Sequence, residues 1–147
     1  MSISILFAVN DSPSSRAAVD YLAALPLCHE EVSIKIIHVL RKPSAGEDLM
    51  GKKFIAEQSK RYGALLEQTK ERLVQSGFLA ELVDTELILE PYDTVSDGIM
   101  DRFAAHKYDM VVIGRKQMSK AEEFVLGDPS VKLVRALGNT AILVIKS

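Results

Sequence analysis

Five short runs of aliphatic and β-branched residues alternate along the chain with longer segments whose apolar residues recur at helical spacing. The runs are almost continuously apolar, which is typical of strands buried on both faces. Strands that alternate with helices predict a parallel sheet covered by helices on both faces. No repeat or break in composition divides the chain, so we expect one domain over residues 1–147. The predicted strands lie at 3–9, 32–40, 87–89, 109–114 and 141–145.

Turn and capping residues predict where the helices begin and end. After the first strand, Ser12 is the expected N-cap of a helix and Pro13 its first residue. A long amphipathic helix is predicted over 54–74, because its apolar stripe stops just before Gly77. The last helix is predicted to open at 127–130 and to carry an apolar stripe of Val131, Leu133, Val134 and Leu137.

Charge and cysteine content exclude several classes of protein. Lys and Arg number 18 and Asp and Glu number 20, and the net charge of −2 argues against binding to a nucleic-acid backbone. Apolar residues make up 48% of the chain, which is too many for a disordered protein. The single cysteine, Cys28, cannot form an internal disulfide, and no Cys/His pattern has zinc-ligand spacing. We therefore expect no nucleic-acid partner and no metal.

Nothing in the sequence predicts export or membrane insertion. No basic and apolar leader precedes the first strand. No apolar run approaches the ~20 residues of a membrane span. We therefore expect a cytoplasmic protein that contacts no membrane.

Several segments resemble the universal stress protein family. Residues 5–12, Ile-Leu-Phe-Ala-Val-Asn-Asp-Ser, resemble its first strand and loop, which is usually Ala-Val-Asp-Gly-Ser. His38-Val39 matches the common end of its second strand. Residues 109–115 match its Asp-Leu-Ile-Val-Met-Gly-Ser segment, and residues 139–145 resemble its Cys-Pro-Val-Leu-Val-Val ending. In this order and spacing, the resemblance covers nearly the whole chain.

The resemblance implies a fold, an assembly and a ligand. The fold is an α/β, doubly wound, five-stranded parallel sheet in the strand order 3-2-1-4-5, with helices on both faces. The assembly is a homodimer, often joined in the family through antiparallel pairing of the last strands. Many members bind ATP or AMP through the motif Gly-x2-Gly-x9-Gly-Ser/Thr, and others lack it.

This chain resembles that motif only in part. Gly114 and Gly127 match its first and third glycines, whereas Gln117 stands at the second glycine and Asp128 at the Ser/Thr position. Ser130 supplies a hydroxyl that usually follows two residues later. The resemblance thus implies nucleotide-binding roles for Val9, Asn10, Val39, Gly114, Arg115, Gly127 and Ser130.

Both departures from the motif disfavour a phosphate. Glycine permits a positive φ and a close approach of the backbone to a ligand, and a Gln117 side chain opposes both. Asp128 puts a carboxylate at a predicted helix N-terminus, where it competes with a bound anion. One like-charge contact at ~4 Å and an effective dielectric constant near 20 costs roughly 4 kcal/mol, which is on the order of a thousandfold in affinity. At the expected base end, Asn10 replaces the family's aspartate and Val39 is retained.

No arrangement of residues predicts catalysis. A serine or cysteine nucleophile needs a base and an orienting group. We expect His29 and His106 to lie in loops or at helix ends, and His38 to be an interior residue of a strand. The Met-Ser-Lys sequence at 118–120 resembles a signature of nucleotidyl-transferring enzymes, but their His-x-Gly-His turn is absent. We expect no catalytic residue, and only slow ATP hydrolysis stays open.

The last strand predicts self-association. Ala141, Leu143 and Ile145 alternate with Ile142 and Val144, so both faces of the strand are apolar. Helices over both faces would account for these side chains but not for a free hydrogen-bonding edge. Such an edge promotes association, and pairing across a two-fold axis removes it. We expect a homodimer joined through this strand.

These patterns favour one function and leave one alternative. The favoured function is a stress-response protein that acts through dimerisation and contacts with an unidentified protein partner. Its nucleotide site would be weakened, and no cofactor is expected. The alternative is a switch protein of the same family that binds ATP or AMP.

Overall fold

All five predicted strands are present, and they form one parallel sheet. The computed structural model describes residues 2–41, 51–117, 119–121 and 129–147. The strands are hydrogen-bonded in the order β3-β2-β1-β4-β5, and every neighbouring pair is parallel. The doubly wound sheet is therefore confirmed. The strands are β1 (Ile3–Ala8), β2 (Val32–Arg41), β3 (Val83–Tyr92), β4 (Met110–Arg115) and β5 (Ala141–Lys146).

Helices connect the strands as crossovers. Short 3₁₀ turns at His29–Glu31 and Ala80–Leu82 lead into β2 and β3. Among the residues that the structure describes, no helix is both long enough and apolar enough to cross a lipid bilayer. The described helices are α1 (Pro13–Ala24), α2 (Gly51–Gln75), α3 (Val95–Ala105) and α4 (Pro129–Ala136).

Alternate residues of β1 enter two separate hydrophobic cores. Phe7 belongs to the core that includes Leu22 of α1, whereas Leu6 belongs to the opposite core, which includes Ile99 of α3. All four side chains are fully buried or nearly so. Successive side chains of a strand point to opposite faces. The two covered faces explain why the strands are almost continuously apolar.

The order of the strands reverses at β1. Ile5 pairs with Ile34 of β2 on one side and with Met110 of β4 on the other. The chain therefore builds β2 and β3 outward in one direction and β4 and β5 in the other. In doubly wound sheets, ligands bind beyond the carboxyl ends of the strands at this reversal.

The predicted start of α1 is confirmed. Ser12 caps the helix, and its Oγ accepts a hydrogen bond from the Ser15 N–H at 3.2 Å. Pro13 is the first helical residue. Leu25 ends the helix with an extended ψ of 134°, the conformation that a residue before a proline favours.

The glycine predicted to follow α2 has two reasons to be there. Gly77 has a φ of 123°, which residues other than glycine rarely adopt. A Cβ at this position would also lie 2.4 Å from Cε1 of His29. His29 in turn packs against Phe78, with 4.5 Å between the ring centroids. His29 thus has a packing role between α1 and β2.

Two elements differ from the sequence prediction. β3 begins at Val83, well before the predicted segment 87–89, because polar residues such as Asp84 occupy the exposed positions of this edge strand and mask its pattern. In α4, Val131 and Val134 are 42% and 61% exposed. Only Ser130 and Leu133 of this short helix are buried, so its buried stripe is narrower than the apolar spacing predicts.

Candidate functional site

A cleft of about 710 Å³ opens where β1, β2 and β4 end. The first turns of α1, α3 and α4 and one side of α2 form its walls. The cleft lies at the reversal of strand order, and its volume is within the ~300–1,000 Å³ usual for ligand pockets. Among the residues singled out from the sequence, it brings together Val9, Asn10, Val39, Gly114, Arg115 and Ser130.

The loop between β1 and α1 is closed by its own side chains. Oδ1 of Asn10 accepts a hydrogen bond from the Ser12 N–H at 2.9 Å. The Asn10 N–H donates to Oγ of Ser15, also at 2.9 Å. The Asn10 side-chain oxygen therefore accepts a hydrogen bond within the loop, and its NH₂ group is the donor available to a ligand with an acceptor.

Gly114 is required by packing. A Cβ at this position would lie 2.6 Å from the backbone carbonyl atoms of Ser14 and 2.7 Å from the Ser15 nitrogen. The end of β4 and the first turn of α1 can approach this closely only because Gly114 has no side chain. The fold therefore requires a glycine here whether or not a ligand binds.

The apolar floor of the cleft is tightly packed. Val9 and Val39 line the cleft, yet they are only 5% and 3% exposed. A Cβ on Gly98 of α3 would lie 2.7 Å from Cγ1 of Val39. Gly98 thus lets α3 lie directly on the end of β2, and Val39 supplies an apolar surface with little freedom to move.

His38 is an interior residue with a fixed tautomer. Its Nδ1 lies 2.7 Å from the Val9 carbonyl oxygen, so Nδ1 carries the proton and donates it. The ring stacks on Tyr62 of α2, with 3.7 Å between centroids and 11° between planes. Burial lowers the pKa of His38, against the opposing effects of the Val9 carbonyl and the Asp11 carboxylate. Near pH 7 the ring is therefore neutral and its Nε2 is an acceptor.

An ion pair joins α2 to the loop after β1. The Arg61 guanidinium pairs with the Asp11 carboxylate, and both side chains line the cleft. Arg61 also lies over the Tyr62 ring, 5.3 Å from its centroid. The two side chains of the pair are 60% and 42% exposed, so the pair positions α2 more than it stabilises the fold.

The backbone hydrogen bonds between β4 and the end of the chain extend as far as Gln117, which stands at the second glycine of the family motif. The Gln117 N–H donates to the Ser147 carbonyl oxygen at 3.3 Å, and the Ser147 N–H donates to the Arg115 carbonyl at 3.2 Å. Gln117 is exposed and does not line the cleft. The backbone N–H that a glycine loop would present to a phosphate is therefore already used.

The structure describes some, but not all, of the basic and motif residues near the end of β4. Arg115, Lys116 and Lys132 line the cleft. Arg115, Lys116 and the buried Ser130 each already interact with another group of the protein. Gly127 and Asp128 lie outside the described residues.

Sequence reasoning missed the wall that α2 contributes. The sequence predicts an apolar stripe along this helix, and in the structure Phe54 and Tyr62 of that stripe line the cleft together with Gln58 and Arg61. Asp93, just before α3, also lines it. The signal that was available is Gln58, a polar residue in the same row of side chains as the two aromatic residues.

The described residues offer no metal centre, since no group of three or more His, Cys, Asp or Glu side chains is placed to hold an ion. Within this part of the chain, the cleft also lacks a nucleophile paired with a base and an orienting group. The cleft presents apolar and aromatic surfaces, hydrogen-bonding groups and a basic end.

Comparison with known proteins places this architecture. The sequence model of the Universal stress protein family matches residues 1–144. The structure of hypothetical protein MJ0577 superimposes with a TM-score of 0.75 at 15% identity, covering 100% of this chain and 97% of that one. A universal stress protein in complex with cAMP gives 0.67 at 15% identity, with 97% and 95% coverage. A universal stress protein family protein from Arabidopsis thaliana with AMP bound gives 0.65 at 16% identity, with 98% and 91% coverage. A search of curated protein sequences returned no match.

Proposed function

The chain belongs to the universal stress protein family, and from that premise we propose that it is a stress-response protein that acts as a homodimer through protein contacts. Its cleft binds adenine nucleotides weakly, because the end that would hold the phosphates is modified. The proposal assigns no catalytic residue.

One observation carries the weakened phosphate end. The Gln117 N–H stands where the family motif has a glycine, and it donates to the Ser147 carbonyl instead of facing a ligand. Phosphates in glycine-rich loops are held chiefly by backbone N–H groups and a helix N-terminus. A nucleotide here would have to break the contact with Ser147 or bind without this N–H.

Two further features support the same conclusion. Asn10 lacks the charge of the family's aspartate, and its side-chain oxygen already accepts one hydrogen bond, from the Ser12 N–H. From the sequence, Asp128 adds a negative charge beside the expected phosphate position.

The proposed homodimer rests on β5. Among the described strands, β5 pairs with β4 alone, which leaves its outer edge open. Leu143 and Ile145 pack on one core and Ile142 and Val144 on the other. Helices therefore account for both faces, while the open edge remains. Antiparallel pairing of two β5 strands would give a continuous sheet through both subunits.

Nucleotide content and affinity test the proposal. We expect the purified protein to carry no adenine, which its ultraviolet spectrum would reveal because the chain has no Trp. Calorimetry with ATP and AMP should give dissociation constants no tighter than millimolar. Stoichiometric ATP or AMP in the purified protein would overturn the proposal.

A paired substitution sharpens this test. Gln117→Gly with Asp128→Ser restores the family motif and should strengthen ATP binding by up to about a thousandfold, on the order of the cost of one like-charge contact. Gln75→Gly, at the far end of α2, is a control for nonspecific effects. Unchanged ATP binding in the double variant would contradict the explanation from these two positions.

An ATP- or AMP-binding switch is the second candidate, and the size of the cleft favours it. A volume of about 710 Å³ is ample for a nucleotide. Similar folds are found in proteins whose structures contain cAMP or AMP. Slow ATP hydrolysis would belong to this candidate. Micromolar affinity for ATP in the unmodified protein would favour it over the first.

A further inference from the structure

The α2 side of the cleft has a chemistry that a phosphate-binding motif does not explain. Phe54, Gln58 and Tyr62 follow one another at four-residue spacing, so they lie in one row along the helix, about 6 Å apart. All three are half-buried and line the cleft. Two aromatic rings with an amide between them suit a flat ring whose edge carries donors and acceptors.

One end of this row is held rigid. Tyr62 stacks on His38, and His38 is fixed by its hydrogen bond to the Val9 carbonyl. The Arg61–Asp11 pair holds the same turn of α2 against the loop after β1. A surface that is already ordered loses little conformational entropy when a ligand binds. The Tyr62 end of the α2 wall is therefore ordered before a ligand binds.

Asp93 gives the cleft a second preference. Asp93 lines the cleft and directly precedes Thr94, the N-cap of α3. Within the described part of the chain, no hydrogen-bond or ion-pair partner is found for its carboxylate. An ionised carboxylate accepts hydrogen bonds from the hydroxyls of a sugar. The same charge repels a chain of phosphates.

From these features we propose that the cleft selects a nucleoside over a nucleoside triphosphate. The flat base lies against Phe54 and Gln58, and the sugar hydroxyls are held by Asp93. The inference rests on the proposed function, because it takes the phosphate end of the cleft to be weakened. It goes further in stating which part of the ligand is recognised and which residues recognise it.

Calorimetry with four probes tests this selection: adenosine, AMP, ATP and ribose 5-phosphate, which has the sugar and phosphate but no base. We expect adenosine to bind about tenfold more tightly than ATP, and ribose 5-phosphate not to bind. Phe54→Ala should weaken adenosine about tenfold, as expected for the loss of one aromatic–base contact. Ile55→Ala is the matched control, because Ile55 is the next residue of α2, is 46% exposed and does not line the cleft.

Asp93→Asn separates charge from packing. This variant keeps the size of the side chain and removes its charge, so ATP should gain relative to adenosine by about tenfold. A merely structural role for Asp93 would weaken all probes equally. An unchanged ratio of the two affinities would overturn the role of Asp93.

The results distinguish failure of this inference from failure of the proposed function. If none of the four probes binds at millimolar concentration, the inference is overturned while the weakened phosphate end stands. If ATP binds most tightly and Phe54→Ala leaves its affinity unchanged, both are overturned. If the protein is monomeric but adenosine binds through Phe54, the proposed homodimer fails and the inference stands.

Discussion

The two edges of the sheet are built differently. β3 carries Asp84, Glu86 and Glu90 and contains Pro91, and its register with β2 shifts between Val39 and Arg41. β5 has no charged residue before Lys146 and keeps an unbroken register with β4. Charges, proline and irregular pairing are devices that prevent an edge strand from pairing with another chain. β3 has these devices and β5 lacks them.

Packing reinforces the difference at β3. Arg102 of α3 donates to both carboxylate oxygens of Glu86 at 3.2 Å and to those of Glu90 at 2.9 and 3.1 Å. The Tyr92 hydroxyl donates to Asp101. These contacts occupy the Glu86 and Glu90 carboxylates and bind the strand to its own helix. The β3 edge is therefore protected against association with another chain, whereas the β5 edge is open to it.

Placing a charge on β5 is the change with the largest expected effect. Leu143→Lys puts two like charges close together in the proposed dimer, and the dimer should dissociate fully. Light scattering at tens of micromolar should then give the 16.2 kDa mass of a single chain, against twice that mass for the unmodified protein. Leu89→Lys, at a 54% exposed position of β3, should leave the mass of the dimer unchanged.

Because Leu143 also packs on a core, a second variant separates dissociation from misfolding. Ala141→Lys lies at an exposed position of the same strand and should weaken the dimer while the circular dichroism spectrum is retained. A monomeric unmodified protein, or a dimer that survives both changes, would refute the assignment of β5.

Removing the guards from β3 should have an intermediate effect. Glu90→Val with Pro91→Val replaces a charge and a proline by residues that favour strands. We expect species larger than the dimer, increasing with concentration, in sedimentation velocity. Glu71→Val, at an exposed position of α2, is the control and should not associate further. If both proteins behave alike, the charge and the proline do not protect this edge.

Loss of the Arg102 contacts should have a smaller effect on stability. Arg102→Met leaves Glu86 and Glu90 side by side without their cation. We expect the free energy of unfolding to fall by about 1 kcal/mol, since the arginine is only partly exposed but Glu90 is largely in solvent. Urea denaturation measures the change. Arg135→Met, at an exposed position of α4, should change stability by under ~0.5 kcal/mol. An equal loss in both variants would refute a stabilising role for the contacts of Arg102 with Glu86 and Glu90.

The smallest effect concerns titration at the same edge. The hydrogen bond to Asp101 raises the pKa of Tyr92 to about 12. The neutral phenol is favoured in the folded state, so this contribution to stability is complete below the unfolded pKa of about 10 and is lost as the pH rises through about 12. Burial also raises the pKa of Tyr108, so tyrosinate absorbance should show two late-ionising residues among the four tyrosines, one of them Tyr92. Asp101→Asn should make Tyr92 ionise earlier, and an unchanged titration would exclude Asp101 as the cause.

Much of the fold was predictable because its local signals agree. Ser12 and Pro13 mark the start of α1, and Gly77 marks the end of α2 through its positive φ. These signals act over a few residues, so they can be recognised without a tertiary structure. β3 was underestimated because alternating exposure at an edge breaks the apolar run by which a buried strand is recognised.

The candidate site was less predictable from the sequence than the fold. The resemblance to the family pointed to Val9, Asn10, Val39 and Gly114, and the structure places all four at the cleft. Phe54 and Tyr62 were not identified as site residues, because helical spacing places them on the apolar stripe of α2 but does not show what lies opposite that stripe. Gln117 was identified as a departure, but its contact with Ser147 depends on strands that are remote in sequence.

The amino-acid sequence by itself determined the alternation of strands and helices, the caps, the family and the apolar character of β5. Each of these depends on residue type and short-range spacing. Only the tertiary structure decided that α2 forms a wall of the cleft, that His38 bonds to Val9, and that the two sheet edges differ in their protection. Those features arise from contacts between segments far apart in the chain, where shape and burial set the outcome.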